Sequence, residues 1–131
     1  MKKVLTILSL LIGLVSLSAC SGSDEIIGTW NAQAADGTEL VIEIDKKQLT
    51  VDGEKLDYVQ NGFGFENSLS YYTIEVDEQE TYTIIFPEKD KSLALLIQPT
   101  DLEEPLAGTL VFALNKNEKP NYLEYGNKYL K

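Results

Sequence analysis

Tyr72-Thr73-Ile74-Glu75-Val76-Asp77, followed after a short charged break by Tyr82-Thr83-Ile84-Ile85-Phe86, decides the fold. Large apolar side chains stand at every second position. Successive side chains of an extended chain point to opposite faces, so this spacing makes a strand with one buried face. The same period runs outward in both directions. Upstream, Leu40, Ile42 and Ile44 alternate with Val41, Glu43 and Asp45. Leu49 and Val51 alternate with Thr50 and Asp52, and Leu56 and Tyr58 with Asp57 and Val59. Downstream stand Leu93, Leu95 and Ile97, then Leu110, Phe112 and Leu114. With Gly28–Ala34 as the first, the pattern predicts eight strands, near 28–34, 38–45, 47–52, 54–60, 69–77, 81–87, 91–98 and 108–114. Asp36-Gly37, Asp52-Gly53 and Asn61-Gly62 are dipeptides that close hairpins.

Short strands joined by tight turns form an antiparallel meander. The expected class is therefore all-β, an up-and-down β-barrel of about eight strands. A two-sheet sandwich gives the same alternation and stays open as an alternative. An eight-stranded barrel is either filled by its own side chains or holds one small ligand. The inward set, which adds Trp30 to the alternating residues above, is nearly all large and favours a filled interior. If a cavity exists instead, its candidate lining residues are Tyr58, Tyr72, Tyr82, Phe86 and Phe112. Val41, Val59, Tyr71, Ile85, Leu96 and Val111 are expected on the opposite face. Tyr122, Tyr125 and Tyr129 have the spacing of one face of a short helix, which is expected to fold back over part of that outer surface.

Composition removes several function classes. The 131 residues hold 21 acidic side chains against 11 basic ones, all lysine, for a net charge of −10. That length makes one domain. There is no histidine, so a histidine general base, a Ser/His/Asp triad and an imidazole metal ligand are excluded. Cys20 is the only cysteine, which excludes disulfides within the chain and thiolate zinc sites. An acidic chain with no arginine is a poor match for nucleic acid. Asp101, Glu103 and Glu104 read as a solvated charge run, because the ligand ladder and central glycine of a calcium loop are missing. No catalytic residue, metal or cofactor is expected, and the chain does not read as an enzyme.

The N-terminus supplies an address. Met1-Lys2-Lys3 precedes an apolar run from Val4 to Val15, then Leu17-Ser18-Ala19-Cys20. A basic start, a short apolar stretch and small residues are the three parts of a secretory signal. The run is shorter than the roughly 20 residues of a membrane-spanning helix. Leu17-Ser18-Ala19-Cys20 resembles the lipobox of bacterial lipoproteins. That resemblance implies cleavage between Ala19 and Cys20 and a diacylglycerol on the Cys20 sulfur. Two acyl chains give stable anchoring where one does not. The implied organisation is a signal peptide over 1–19, a lipidated cysteine and polar tether over 20–25, and a barrel domain with a C-terminal tail over 26–131. The mature protein is then expected on the extracytoplasmic face of a cell membrane. Its acidic body is repelled by anionic lipid rather than recruited to it.

Gly28-Thr29-Trp30, opening the first strand, resembles the Gly-X-Trp signature of lipocalins and the wider calycin group. In that group the tryptophan plugs one end of an eight-stranded barrel beneath an arginine. The resemblance implies that Lys116 or Lys119 takes the arginine's place here. In size, anchor and all-lysine basicity the chain is also similar to the small lipocalin-like surface lipoproteins of Gram-positive cocci. The expected role is a non-catalytic binding or interaction module presented to an envelope protein. The alternative is a carrier or sensor of a small apolar ligand held inside the barrel.

Overall fold

The computed structural model describes residues 23–66 and 69–130; Ala19, Cys20 and the expected signal peptide lie outside them. Eight antiparallel strands close into a barrel in the order β1 to β8, each paired with its neighbours in sequence. They are β1 Gly28–Gln33, β2 Glu39–Ile44, β3 Gln48–Val51, β4 Glu54–Glu66, β5 Leu69–Val76, β6 Glu80–Phe86, β7 Leu93–Pro99 and β8 Gly108–Asn115. The barrel is sealed where Asn31, Ala32 and Gln33 of β1 pair with Asn115, Leu114 and Ala113 of β8. The ring of strands is thereby closed, and the sandwich alternative falls. One helix follows, α1, Tyr122–Tyr129.

The turns form for local reasons. Between β3 and β4, Asp52 and Gly53 both have positive φ, 52° and 84°. That is the left-handed pair a two-residue hairpin loop requires, and glycine adopts it without strain. Asn61-Gly62 behaves otherwise. It is a bulge inside β4, where the register with β5 shifts between Gln60 and Gly62. The Asn61 side chain accepts a hydrogen bond from the Thr73 hydroxyl at 2.7 Å. Residues 62–66 then continue the ladder against 69–73. The expected turn is thus a bulge, and β4 runs on past the end of β3 as a wing paired on one side only, to β5, which itself stays paired with β6 as far as Ser70.

Apolar side chains sort into two clusters. The interior one holds Trp30, Ile42, Ile44, Leu49, Tyr58, Ile74, Val76, Ile84, Phe86 and Leu114, all expected there, together with Ile26, Ala32 and Ala94. The second lies outside the barrel wall. Ile85 of β6, Leu95 and Ile97 of β7, and Leu110 and Ala113 of β8 pack beneath Tyr122, Tyr125 and Tyr129 of α1, with Leu93 and Tyr71 at the margin. Leu93, Leu95, Ile97 and Leu110 are therefore not inward, as the period had suggested; Ala94 and Leu96 take the inner face of β7 instead. Strand β7 is apolar on both faces, so alternation could not orient it. A second bulge, between Leu96 and Ile97, leaves Val111 without a cross-strand partner and turns Leu110 outward. Leu96 and Val111, expected outside, border the interior.

Helix α1 is built from its ends. The Asn121 carboxamide accepts the Glu124 amide at 2.9 Å and caps the N-terminus. The Tyr125 hydroxyl accepts from the Asn115 side chain at 3.1 Å, which satisfies a polar group buried under the helix. Tyr122 donates to the Leu110 carbonyl at 2.6 Å. At the far end Tyr129 donates to the Glu88 carboxylate and Lys128 pairs with it at 3.5 Å. These contacts hold the Glu88 carboxyl below its usual range, the Tyr129 bond contributing most.

Candidate functional site

The two ends of the barrel are built differently. At one end the chain enters through residues 23–27, and Trp30 lies fully buried behind them. Its indole Nε1 donates to the Ile26 carbonyl at 2.9 Å. Lys116, the residue following β8, lays its Nζ 4.8 Å from the Trp30 ring and donates to the Ile27 carbonyl at 3.1 Å. Of the two lysines named for a place over Trp30, Lys116 is the one that lies there; Lys119 pairs with Glu39 at 3.4 Å. The glycine of Gly-X-Trp has a backbone reason, a positive φ that L side chains rarely adopt. A Cβ on Gly28 (φ 141°) would sit 3.2 Å from the Lys116 Cε and Nζ.

A second tier backs the plug. Phe86 packs against Trp30 at 6.1 Å and edge-on to Tyr72 at 6.0 Å, with the Lys91 Nζ 5.2 Å above it. Lys91 also donates to the Ser70 hydroxyl at 2.6 Å and pairs with Glu25 at 3.5 Å, while Tyr72 donates to Glu25. The Ser23 amide donates to Gln60 Oε1 at 2.7 Å. Ser23, Asp24 and Glu25, expected as free tether, are thus part of the folded end: Ser23 and Glu25 bond into it, and the Ile26 amide closes a turn on the Ser23 carbonyl.

The other end is open. A cavity of about 340 Å³ enters the barrel there. Its depth is apolar, with Ile42, Leu49, Val51, Leu56, Ile74, Ile84, Leu96, Val111, Phe112 and Leu114 on the walls. The only polar lining groups are Asp77, Gln79, Glu80 and Tyr82, all in or next to the β5–β6 turn. Tyr82 donates to the Glu80 carboxylate. Burial, then the Glu80 bond and charge, push its phenol up to about 12, so it stays a neutral donor at physiological pH.

Of the five candidate lining residues, Tyr82 and Phe112 border this cavity. Tyr72 and Phe86 belong to the plug, and Tyr58 is 3% exposed, with its hydroxyl donating to the Asp45 carbonyl. Burial, with a smaller push from the Asp45 charge, raises the Tyr58 phenol to about 12. The filled interior therefore holds for the plugged half only. The sequence offered no sign of where filling stops, because the large residues of the mouth half form walls around a space.

The charge is as uneven as the packing. The loops around the mouth, 34–38, 52–53, 77–79 and 100–107, carry Asp36, Asp52, Asp77, Glu78, Asp101, Glu103 and Glu104, and no lysine. At the plugged end lysines and carboxylates interleave, as in Asp45-Lys46-Lys47 and Glu88-Lys89-Asp90-Lys91. Among the described residues no group of three or more His, Cys, Asp or Glu side chains is placed to hold a metal ion. No described helix is long and apolar enough to cross a membrane. The chain matches no family model, no curated protein and no solved structure.

Proposed function

We propose that the protein is a lipoprotein, anchored through Cys20 on the extracytoplasmic face of a membrane, whose barrel receives a small, mainly apolar molecule through its open end. The cavity carries this reading: about 340 Å³, with apolar walls and polar groups confined to the rim. Ligand sites have this composition and begin near this size, at about 300 Å³. Of the two roles open from sequence, carrier or sensor is therefore favoured over a surface that only meets another protein.

The rim narrows the ligand class. Asp77 and Glu80 border the entrance inside a ring of further carboxylates, and an anionic head would be repelled there. The fitting molecule has an apolar body and a cationic or hydrogen-bond-donating head. A fatty carboxylate is the wrong sign.

Native mass spectrometry on the domain, purified gently from cells, tests this. An added mass in one-to-one ratio that leaves on denaturation is expected. Dodecyltrimethylammonium should displace it and dodecanoate should not. A bare chain that takes up neither probe would count against the receptacle.

A further inference from the structure

The outer part of β4, residues 62–66, which pairs with β5 but has no strand on its other side, carries two aromatic side chains in water, Phe63 at 78% and Phe65 at 75% exposure. They face opposite Tyr72 and Ser70, the strand partners on the inner side of the sheet. On the outer side the Tyr71 ring lies across Gly64, where a Cβ would be 2.5 Å from its hydroxyl. Tyr71 thus joins the cluster under α1, while the two phenylalanines are left without cover. Large aromatics exposed side by side mark an interaction surface.

The chain's own path says which surface. The wing projects at the plugged end, and Ser23, tied to Gln60 at the wing's base, leaves the fold there. Cys20 is three residues earlier, a reach of at most about 11 Å. A lipid on Cys20 keeps this end, and not the mouth, within touching distance of the bilayer. Charge agrees. The mouth, ringed by carboxylates, is the end an anionic surface repels. The plugged end presents Lys46, Lys47 and Lys89 among its carboxylates. Leu102, 73% exposed at the mouth, stands alone between Asp101 and Glu103.

Resting on the anchor proposed above, we infer that Phe63 and Phe65 seat the plugged end in the lipid surface and point the open mouth away from it. The phenylalanines enter the boundary between headgroups and acyl chains, where aromatic rings are favoured. The anchor then fixes distance and the wing fixes orientation. The mouth samples what arrives from outside the membrane.

The test uses the full lipidated chain in vesicles of three parts phosphatidylcholine to one part phosphatidylglycerol, with brominated acyl chains as quenchers. Phe65→Trp adds a reporter on the wing, and Leu102→Trp adds one at the mouth. Trp30, buried in the plug, serves as the internal reference. Vesicle flotation reports the anchor separately. The expected result is that all forms float, that Trp emission from Phe65→Trp shifts to the blue and loses most of its intensity, and that Leu102→Trp matches the parent. Flotation with the Phe65→Trp reporter unquenched, or with Leu102→Trp quenched more strongly, overturns the orientation and leaves the anchor standing. A chain that does not float overturns both.

Discussion

The plugged and open ends of this barrel are made from the same kinds of strand, yet one is solid and the other hollow. At the plug, Phe86 packs about 6 Å from both Trp30 and Tyr72, and Lys116 and Lys91 lie over two of the rings. The Trp30 indole, the Tyr72 hydroxyl and the Lys116 and Lys91 ammonium groups each have a partner. At the mouth the walls are mostly branched aliphatics, with Phe112 and Tyr82, set around about 340 Å³. The difference places tight packing at one end and open space at the other.

The comparison breaks first under large-to-small substitution. Trp30→Ala removes a side chain with no exposed surface and should cost about 3–5 kcal/mol. Phe112→Ala removes a half-buried wall residue beside space that already exists, and about 1–2 kcal/mol is expected, since less new void is created. Urea denaturation of the two variants measures both. Equal losses would mean that the mouth is packed as tightly as the plug.

Much of this was legible beforehand, and the failures share a cause. Alternation placed β1 to β6 and their inward residues because each has one polar face. Trp30 lies buried at the end where the chain enters, and the need for glycine at position 28 appears only in its backbone, at φ 141°. Strand β7 was inverted because Leu93, Leu95, Leu96 and Ile97 leave no polar face to read. Its outer side is covered by α1, so it is buried on both sides by parts of the chain far apart in sequence. The wing was missed because Asn61-Gly62 has turn chemistry, and only pairing with Thr73 shows that the strand continues. The cavity had no local signal. Whether facing side chains meet depends on the barrel's bore.

Charge substitutions sharpen the contrast at smaller amplitude. Lys116→Met keeps the aliphatic stem over Trp30 and loses the cation and its bond to the Ile27 carbonyl. A loss of about 1–2 kcal/mol is expected in thermal or urea unfolding. Glu80→Gln at the rim should leave stability within about 0.5 kcal/mol. It should still reduce the preference for cationic over anionic alkyl probes, which in the parent should be roughly tenfold (about 1.4 kcal/mol), as read by calorimetry.

Alkali gives the smallest test. Tyr58 and Tyr82 are both raised from 10.0 to about 12 in the folded chain, burial being the larger cause in each. A phenol raised by folding stabilises fully below its unfolded value, and that contribution is lost as pH rises from about 10 toward 12. Ultraviolet titration should show Tyr58 and Tyr82 as the latest steps, behind Tyr72, Tyr125 and Tyr129, which burial also raises. In Glu80→Gln the Tyr82 step should move down and the Tyr58 step should stay, because only Tyr82 bonds to that carboxylate.

The most direct test of a sealed end and an open one is methyl NMR on the isotope-labelled domain titrated with dodecyltrimethylammonium. Saturable one-to-one shifts are predicted at the Ile42, Ile74, Ile84 and Leu114 methyls, with Ile26 and Ile27 unmoved. Shifts at Ile26 and Ile27, or only at exposed Val41 and Val59 on the outer wall, would contradict it.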